Sequence, residues 1–249
     1  MKDKVVMVTG ASEGIGKALT KLLVSNGAKV AAIGRRQSAL DALKEELGEA
    51  VLPLSVDVSD HHQTEHAVAV ILEKWGRIDA LVNNAGVGRY APVHELSYED
   101  WNLQININLN GTFHCCKAVL PHMLERSENT DDPIAGQILN MCSEVGYFGV
   151  ATRGGYCASK FVIRGLTECL RLEAQPKRIR VMHLSPGMVM TNFAGRPKET
   201  KAGFLKPETI AWQIYTMLTA PDDALPASET VLSMATFNVN QDYQKIGKK

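Results

Sequence analysis

The chain carries no net charge: 27 Lys+Arg stand against 27 Asp+Glu in 249 residues. A nucleic-acid binder needs a basic field to release counterions from phosphates, so the balance argues against that class of partner. Long hydrophobic runs are missing too. Met1-Lys2-Asp3-Lys4 leads into Val5–Val8, an apolar stretch too short for a signal segment or a membrane span, so no membrane partner is expected. Cysteine is scarce. Cys115, Cys116, Cys142, Cys157 and Cys169 are odd in number and include no C-x-x-C pair, which argues against a disulfide frame. They read as buried thiols in a reducing compartment, and the expected location is cytoplasmic. Aromatic residues make up only 6%, yet hydrophobic residues reach 45%, enough for a sizeable core and against disorder. No composition shift, repeat or low-complexity tract divides residues 1–249, which read as a single domain.

Short β-branched runs alternate with helical patterns. Strands are expected at Lys4–Thr9, Lys29–Ile33, Ala50–Val56, Ala80–Val82, Gln137–Met141 and Arg180–Leu184. Helices are expected at Gly16–Asn26, Ser38–Leu47, Gln63–Lys74, Trp101–Met123, Gly155–Glu173 and Pro207–Leu218. Such alternation implies βαβ crossovers and a parallel sheet covered on both faces. Two loops stand out: Ser127–Gly136, polar and read as a solvated excursion, and Asn192–Lys206, whose charged tip and apolar anchors Phe193 and Phe204 suit a substrate lid.

The first strand runs into Thr9-Gly10-Ala11-Ser12-Glu13-Gly14-Ile15-Gly16, which opens a helix. Glycines there allow a tight turn and let backbone N–H groups approach a pyrophosphate at the helix N-terminus. The spacing is G-x-x-x-G-x-G rather than G-x-G-x-x-G. At the end of the second strand, an acidic residue would bind the adenine ribose hydroxyls and repel a 2′-phosphate. The chain instead reads Ile33-Gly34-Arg35-Arg36. Two guanidiniums and the Ser12 hydroxyl suit a phosphate, which favours NADP(H) over NAD(H); the plain alternative is two solvated arginines opening a helix. Asp57-Val58, after the third strand, is placed to meet the adenine, or else Asp57 or Ser59 caps a helix.

Tyr156 and Lys160 stand at i and i+4, on one helical face, where a cation lowers the phenol's pKa and makes it a usable acid/base. Ser143 ends the fifth strand, at the sheet edge where ligands bind. His62-Gln63-Thr64-Glu65-His66 fits an H-x-x-E-H zinc pattern with His61 beside it, but it opens a crossover helix, and a solvated face is the favoured reading: no metal is expected.

With Thr9–Gly16, Asp57, Asn83-Asn84-Ala85-Gly86, Asn108, Ser143, Tyr156, Lys160 and Pro186-Gly187 with Thr191 in order, the chain resembles the short-chain dehydrogenase/reductase family over residues 4–191. The resemblance implies a Rossmann-type, doubly wound α/β fold and hydride transfer between a nicotinamide and a carbonyl or secondary alcohol. It implies Tyr156 as general acid and base, Ser143 as hydrogen-bond donor to the substrate oxygen, and Lys160 as ribose ligand that depresses the tyrosine pKa. Asn108 would hold a water linking Lys160 to solvent. Gly10, Ser12, Gly14, Ile15, Gly16, Arg35, Arg36, Asp57, Val58, Asn84, Gly86, Pro186, Gly187, Val189 and Thr191, with Tyr156 and Lys160, would contact the cofactor, while Asn83 ties strands together. A homodimer or homotetramer is implied, formed through Trp101–Met123 and Gly155–Glu173. The ending Ala227–Phe237 lacks the Gly-Gly pair of many relatives and looks more like NADP-dependent enzymes with 3-hydroxy acid or ketone substrates. An NAD-dependent alcohol dehydrogenase of the same family and a catalytically silent dinucleotide-binding scaffold are the rival readings.

For the substrate, Glu144–Phe148, Val87–Tyr90, Met188 and Phe193 are expected to surround a small ketone or alcohol. Tyr147, Phe148, Val150 and Met188 would make an apolar wall. Arg89 and Arg153 are either carboxylate ligands or solvated rim arginines, and Glu144 would disfavour an anion beside it.

Overall fold

The computed structural model describes residues 1–195 and 204–232. Among these, β1 (Val5–Thr9), β2 (Lys29–Gly34), β3 (Val51–Ser55), β4 (Ala80–Asn83), β5 (Gly136–Met141), β6 (Ile179–Pro186) and β7 (Ser228–Val231) form one sheet. Its order is β3-β2-β1-β4-β5-β6-β7, with every neighbouring pair parallel. The helices are α1 (Gly14–Ser25), α2 (Gln37–Leu47), α3 (His61–Trp75), α4 (Tyr98–Gln104), α5 (Gly111–Asn129), α6 (Gly154–Ala174) and α7 (Pro207–Leu218). This is the expected Rossmann-type doubly wound arrangement, with β7 added at the edge.

Side chains alternate across a strand, so each strand feeds two cores. Val5 and Met7 of β1, Leu81 of β4 and Ile138 of β5 pack with Ala67, Val68 and Ile71 of α3, Cys115 and Val119 of α5 and Leu170 of α6. Val6 and Val8, Val82 and Leu139 face the other way, against Leu19 and Leu23 of α1, Leu40 and Leu43 of α2 and Ile210 and Ile214 of α7. Truncating one such leucine to alanine costs about 2–5 kcal/mol, so each helix is firmly seated. Strand order reverses at β1 and β4, and the crevice this leaves at the strands' carboxyl ends is where the site forms.

Three expectations are corrected. Trp101–Met123 is not one helix: α4 ends at Gln104, a π turn spans Ile105–Asn110, and α5 continues to Asn129. A π turn places one more residue per turn than an α-helix, and it brings Asn108 to full burial. The Ser127–Gly136 segment is not a free solvated excursion. Arg178 donates to the carbonyls of Ser127, Thr130 and Asp132, and Arg126 bridges Asp132 and the buried Asp79, so two guanidiniums clamp the segment to the sheet's base. Cys169 is exposed, whereas the other four thiols are buried. No helix among the described residues is long and apolar enough to cross a membrane.

Candidate active site

A cleft of about 840 Å³ opens along the carboxyl ends of β1, β2, β4, β5 and β6. One end is lined by Gly10, Ser12, Gly14, Ile15, Arg35, Arg36, Asp57 and Val58, the middle by Asn84 and Gly86, and the other end by Ser143, Tyr156, Lys160, Pro186, Gly187, Val189 and Thr191. Gly16 lies just behind this lining.

The glycines are required by geometry. Gly10 and Gly14 have φ of +67° and +55°, a region L side chains rarely adopt. A Cβ on Gly16 would strike the Gly10 carbonyl oxygen and come within 2.7 Å of Asn84 Nδ2. Asn84 Nδ2 donates to the carbonyls of Thr9 and Gly10, at 2.9 and 3.3 Å, and so fixes the loop from β4. The backbone is thereby held open in front of the α1 N-terminus, where a pyrophosphate fits. At the end of β2 the space does not demand a glycine: a Cβ on Gly34 would meet Ser12 Oγ at an ordinary 3.5 Å. Arg36 donates to Ser12 Oγ at 3.2 Å and pairs with Glu13 at 3.1 Å, while Arg35 stands exposed beside it. Two exposed guanidiniums and a hydroxyl form a fit for a phosphomonoester. Asp57 accepts from the backbone N–H and hydroxyl of Ser59, at 3.0 and 2.7 Å; the α3 cap is Asp60, not Asp57 or Ser59.

At the other end, Tyr156 sits in the first turn of α6 and Lys160 one turn further, both buried. Lys160 Nζ lies 5.7 Å from the centre of the Tyr156 ring and donates to the Met141 carbonyl at 2.7 Å. Ser143 caps a 3-10 turn at Glu144–Gly146, where its Oγ accepts from Val145 N–H. Tyr90 and Phe193 flank the Tyr156 ring at 6.0 and 5.4 Å between centroids. Burial raises the Tyr156 phenol above its ordinary pKa; the neighbouring Tyr90 adds to this, and Ser143 draws it back. In a buried phenol the loss of hydration outweighs the lowering effects. Burial also lowers Lys160, to about 8.

Asn108 does not face open water. Its Oδ1 accepts from Val87 N–H at 2.8 Å, and its Nδ2 donates to the Val87 carbonyl and to Ser159 Oγ. Its own carbonyl accepts from Thr112 Oγ1. Ser159 Oγ donates to the Tyr156 carbonyl at 2.7 Å, so Asn108 and Ser159 link the π turn to the helix that carries Tyr156 and Lys160. Ser159 and the fully buried Gln104, which accepts from Arg89 N–H, were not anticipated. Ser159 lies three residues after Tyr156 on the same helical face, the one signal that marks it. Asn83 Nδ2 donates to Asn140 Oδ1 at 2.9 Å and ties β4 to β5, as expected.

The substrate wall differs from expectation. Tyr147 and Phe148 point away from the cleft: the Tyr147 hydroxyl meets His183 Nε2 at 3.0 Å, under Arg164. The aromatic wall consists of Tyr90, Phe193 and Phe204. Arg89 lies outside the cleft, paired with Asp100 at 3.4 Å, whereas Arg153 lines it. Of the Asn192–Lys206 loop, residues 196–203 lie outside the described residues, as do 233–237 of the ending read above; Leu205, near the loop's end, pairs with Val189, ahead of its start. His61, His62 and Glu65 bring ligand atoms within 4.8 Å of one another, but all three are exposed at the start of α3 and none lines the cleft.

Residues 4–202 match the family model described as short chain dehydrogenase. The chain is 36% identical over 251 residues to the NADP-dependent 3-hydroxy acid dehydrogenase YdfG of Salmonella typhi, covering 96% of each. It is 38% identical over 243 residues to D-threitol dehydrogenase of Mycolicibacterium smegmatis, covering 96% of this chain and 90% of that one. The closed form of a serine dehydrogenase complexed with NADP+ superposes with a TM-score of 0.85 at 31% identity, covering 93% of this chain and 95% of that one.

Proposed function

Because the chain belongs to the short-chain dehydrogenase family, we propose that it is an NADP(H)-dependent carbonyl reductase or alcohol dehydrogenase acting on a small ketone or alcohol. The observation that carries this reading is the convergence of Ser143, Tyr156 and Lys160 at one end of a cleft whose other end is the glycine turn with Arg35 and Arg36.

Gly10, Gly14, Ile15 and the α1 N-terminus hold the pyrophosphate, and Ser12, Arg35 and Arg36 hold the 2′-phosphate. Asp57 and Val58 meet the adenine, Asn84 and Gly86 its ribose, and Pro186, Gly187, Val189 and Thr191 the nicotinamide end. When bound, the dinucleotide supplies the hydride to the carbonyl carbon, or accepts it from the alcohol. In reduction, Tyr156 gives its phenolic proton to the substrate oxygen, while the Ser143 hydroxyl donates a hydrogen bond to that oxygen as negative charge develops. A phenol is protonated at neutral pH, the form a proton donor needs, and burial pushes Tyr156 further that way. The Lys160 ammonium then stabilises the phenolate left behind, and in the oxidative direction that phenolate takes the alcohol proton. Asn108 and Ser159 hold the α6 backbone in register for both steps.

Exposed apolar side chains on α5 and α6, among them Phe113, Phe161, Val162 and Leu172, support assembly into a homo-oligomer. Titration with NADPH and NADH, read by nicotinamide fluorescence, tests the cofactor assignment. NADPH is expected to bind the more tightly by about 10- to 100-fold, the worth of charge-assisted phosphate contacts. Equal affinity would point to the NAD-dependent relative, and binding of neither to a silent scaffold.

A further inference from the structure

Glu144 follows Ser143 directly and lines the same cleft, yet neither the hydride transfer nor the proton transfer uses it. It is buried, and its Oε2 has no hydrogen-bond partner among the described residues. A buried carboxylate oxygen without a donor is costly, because hydration is lost and nothing replaces it. Burial accordingly raises the Glu144 pKa, and the positive charge of Arg153 pulls it back. Arg153 also lines the cleft, with its guanidinium 5.1 Å from the centre of the Tyr90 ring. The two charges feel one another, yet among the described residues neither closes an ion pair within 4.0 Å. Unlike charges that line one cleft without pairing are handles for a ligand that carries both complements.

We propose that Glu144 is a substrate-recognition residue that accepts a hydrogen bond from an ammonium or hydroxyl group beside the reacting carbon, with Arg153 taking an acidic group at the other end of the same molecule. This rests on the oxidoreductase reading above and narrows its substrate to small hydroxy or oxo acids that carry a donor next to the reacting carbon. A plain 3-hydroxy acid presents a carboxylate but leaves Glu144 without a donor. A simple alcohol leaves both charges bare.

The test is NADP+-dependent oxidation of three four-carbon acids that differ only at C2: 3-hydroxybutyrate with hydrogen, 2,3-dihydroxybutyrate with hydroxyl, and threonine with ammonium. Each loses the C3 hydride to NADP+ and the hydroxyl proton to solvent. The wild-type kcat/KM is expected to favour the two donor-bearing acids by about 10- to 100-fold, the worth of a hydrogen bond to a charged group. Glu144→Ala should bring the ratio to within about threefold of one, while Glu144→Gln should retain a preference for the hydroxyl and lose that for the ammonium. Glu144→Gln should also melt no lower than the wild type, because it removes an unpartnered buried charge. Equal kcat/KM for the three acids, or a wild-type ratio surviving in Glu144→Ala, removes the assignment and leaves the oxidoreductase reading standing. A lowered melting temperature in Glu144→Gln with the ratio intact would make Glu144 a fold residue instead. NADPH binding without turnover of any of the three would remove the oxidoreductase reading and this one with it.

Discussion

The two ends of the cleft are built differently. Through β1, β2 and β3 and their helices, up to residue 76, no buried side-chain polar atom lacks a partner. From β5 onward, Gln137, Glu144, Arg164, His183 and Ser185 each keep one. The dinucleotide end is made largely from backbone: glycines at positive φ, a helix terminus, and Asn84 bracing the loop. Such a site is complete before any ligand arrives. The end carrying Ser143, Tyr156 and Lys160 is made from buried side chains, and of the unpartnered groups only Glu144 lines the cleft there.

Variants in the two halves should therefore separate turnover from binding. The largest effect is expected of Tyr156→Phe, which keeps the ring but removes the proton: kcat should fall by at least about 10²- to 10⁴-fold while NADPH affinity stays within a few-fold. Steady-state kinetics beside a fluorescence titration check this, and retained turnover would remove Tyr156 from the acid role. Arg35→Ala and Arg36→Ala should show the reverse pattern. Each is expected to weaken NADPH by about 10- to 100-fold and NADH only slightly; equal losses for both cofactors would take the arginine out of the phosphate site. Gly16→Ala, read by urea unfolding, should cost about 1–3 kcal/mol by forcing a methyl against the Gly10 carbonyl and Asn84. The smallest effect concerns pH. With Tyr156 raised, the phenol stays protonated through the neutral range, so reductive kcat/KM should be level there and decline above about 8, as Lys160 loses its charge. A decline well below that value would place the controlling group elsewhere.

The sign for stability can be worked out at Glu144. Its folded pKa is raised, so relative to an uncharged residue it is harmless below the ordinary carboxylate range and destabilising once ionised. Any difference in melting temperature between wild type and Glu144→Gln should accordingly narrow as pH falls into the acid range.

Much of this architecture was legible in the order of residues. The alternation of β-branched runs with helical patterns foretold six strands and the sheet, because period and crossover rules are local or topological. The glycine turn and Tyr156–Lys160 were legible because their spacings express one helix face and one turn. What stayed hidden depends on contacts between distant segments. The break at Ile105–Asn110 has no glycine or proline within it to announce it, and its alternation of apolar residues with asparagine names no π turn. The clamp on Ser127–Gly136 is assembled by Arg126 and by Arg178, which lies well beyond it in sequence. Tyr147 and Phe148 look like pocket residues by proximity to Ser143, but the 3-10 turn at Glu144–Gly146 swings them outward. The upward push on the Tyr156 pKa is hidden for a related reason: a cation one turn away is visible in sequence, and the dehydration of a buried ring is not.

The π turn has a mechanical consequence of its own. An α-helix advances about 100° per residue, so one surplus residue acts as a fixed rotation inserted between α4 and α5. It lets α4 address α6 with one set of side chains while α5 addresses α3 and the sheet with another, although the two run nearly end to end. Asn108 sits at that joint and bonds outward from it, to Val87 after β4 and to Ser159 of α6. The segment thus behaves as a keyed coupling: the phase between its two shafts is set by counting residues, so a single deletion would re-clock α4 against the cleft even if every remaining side chain were unchanged.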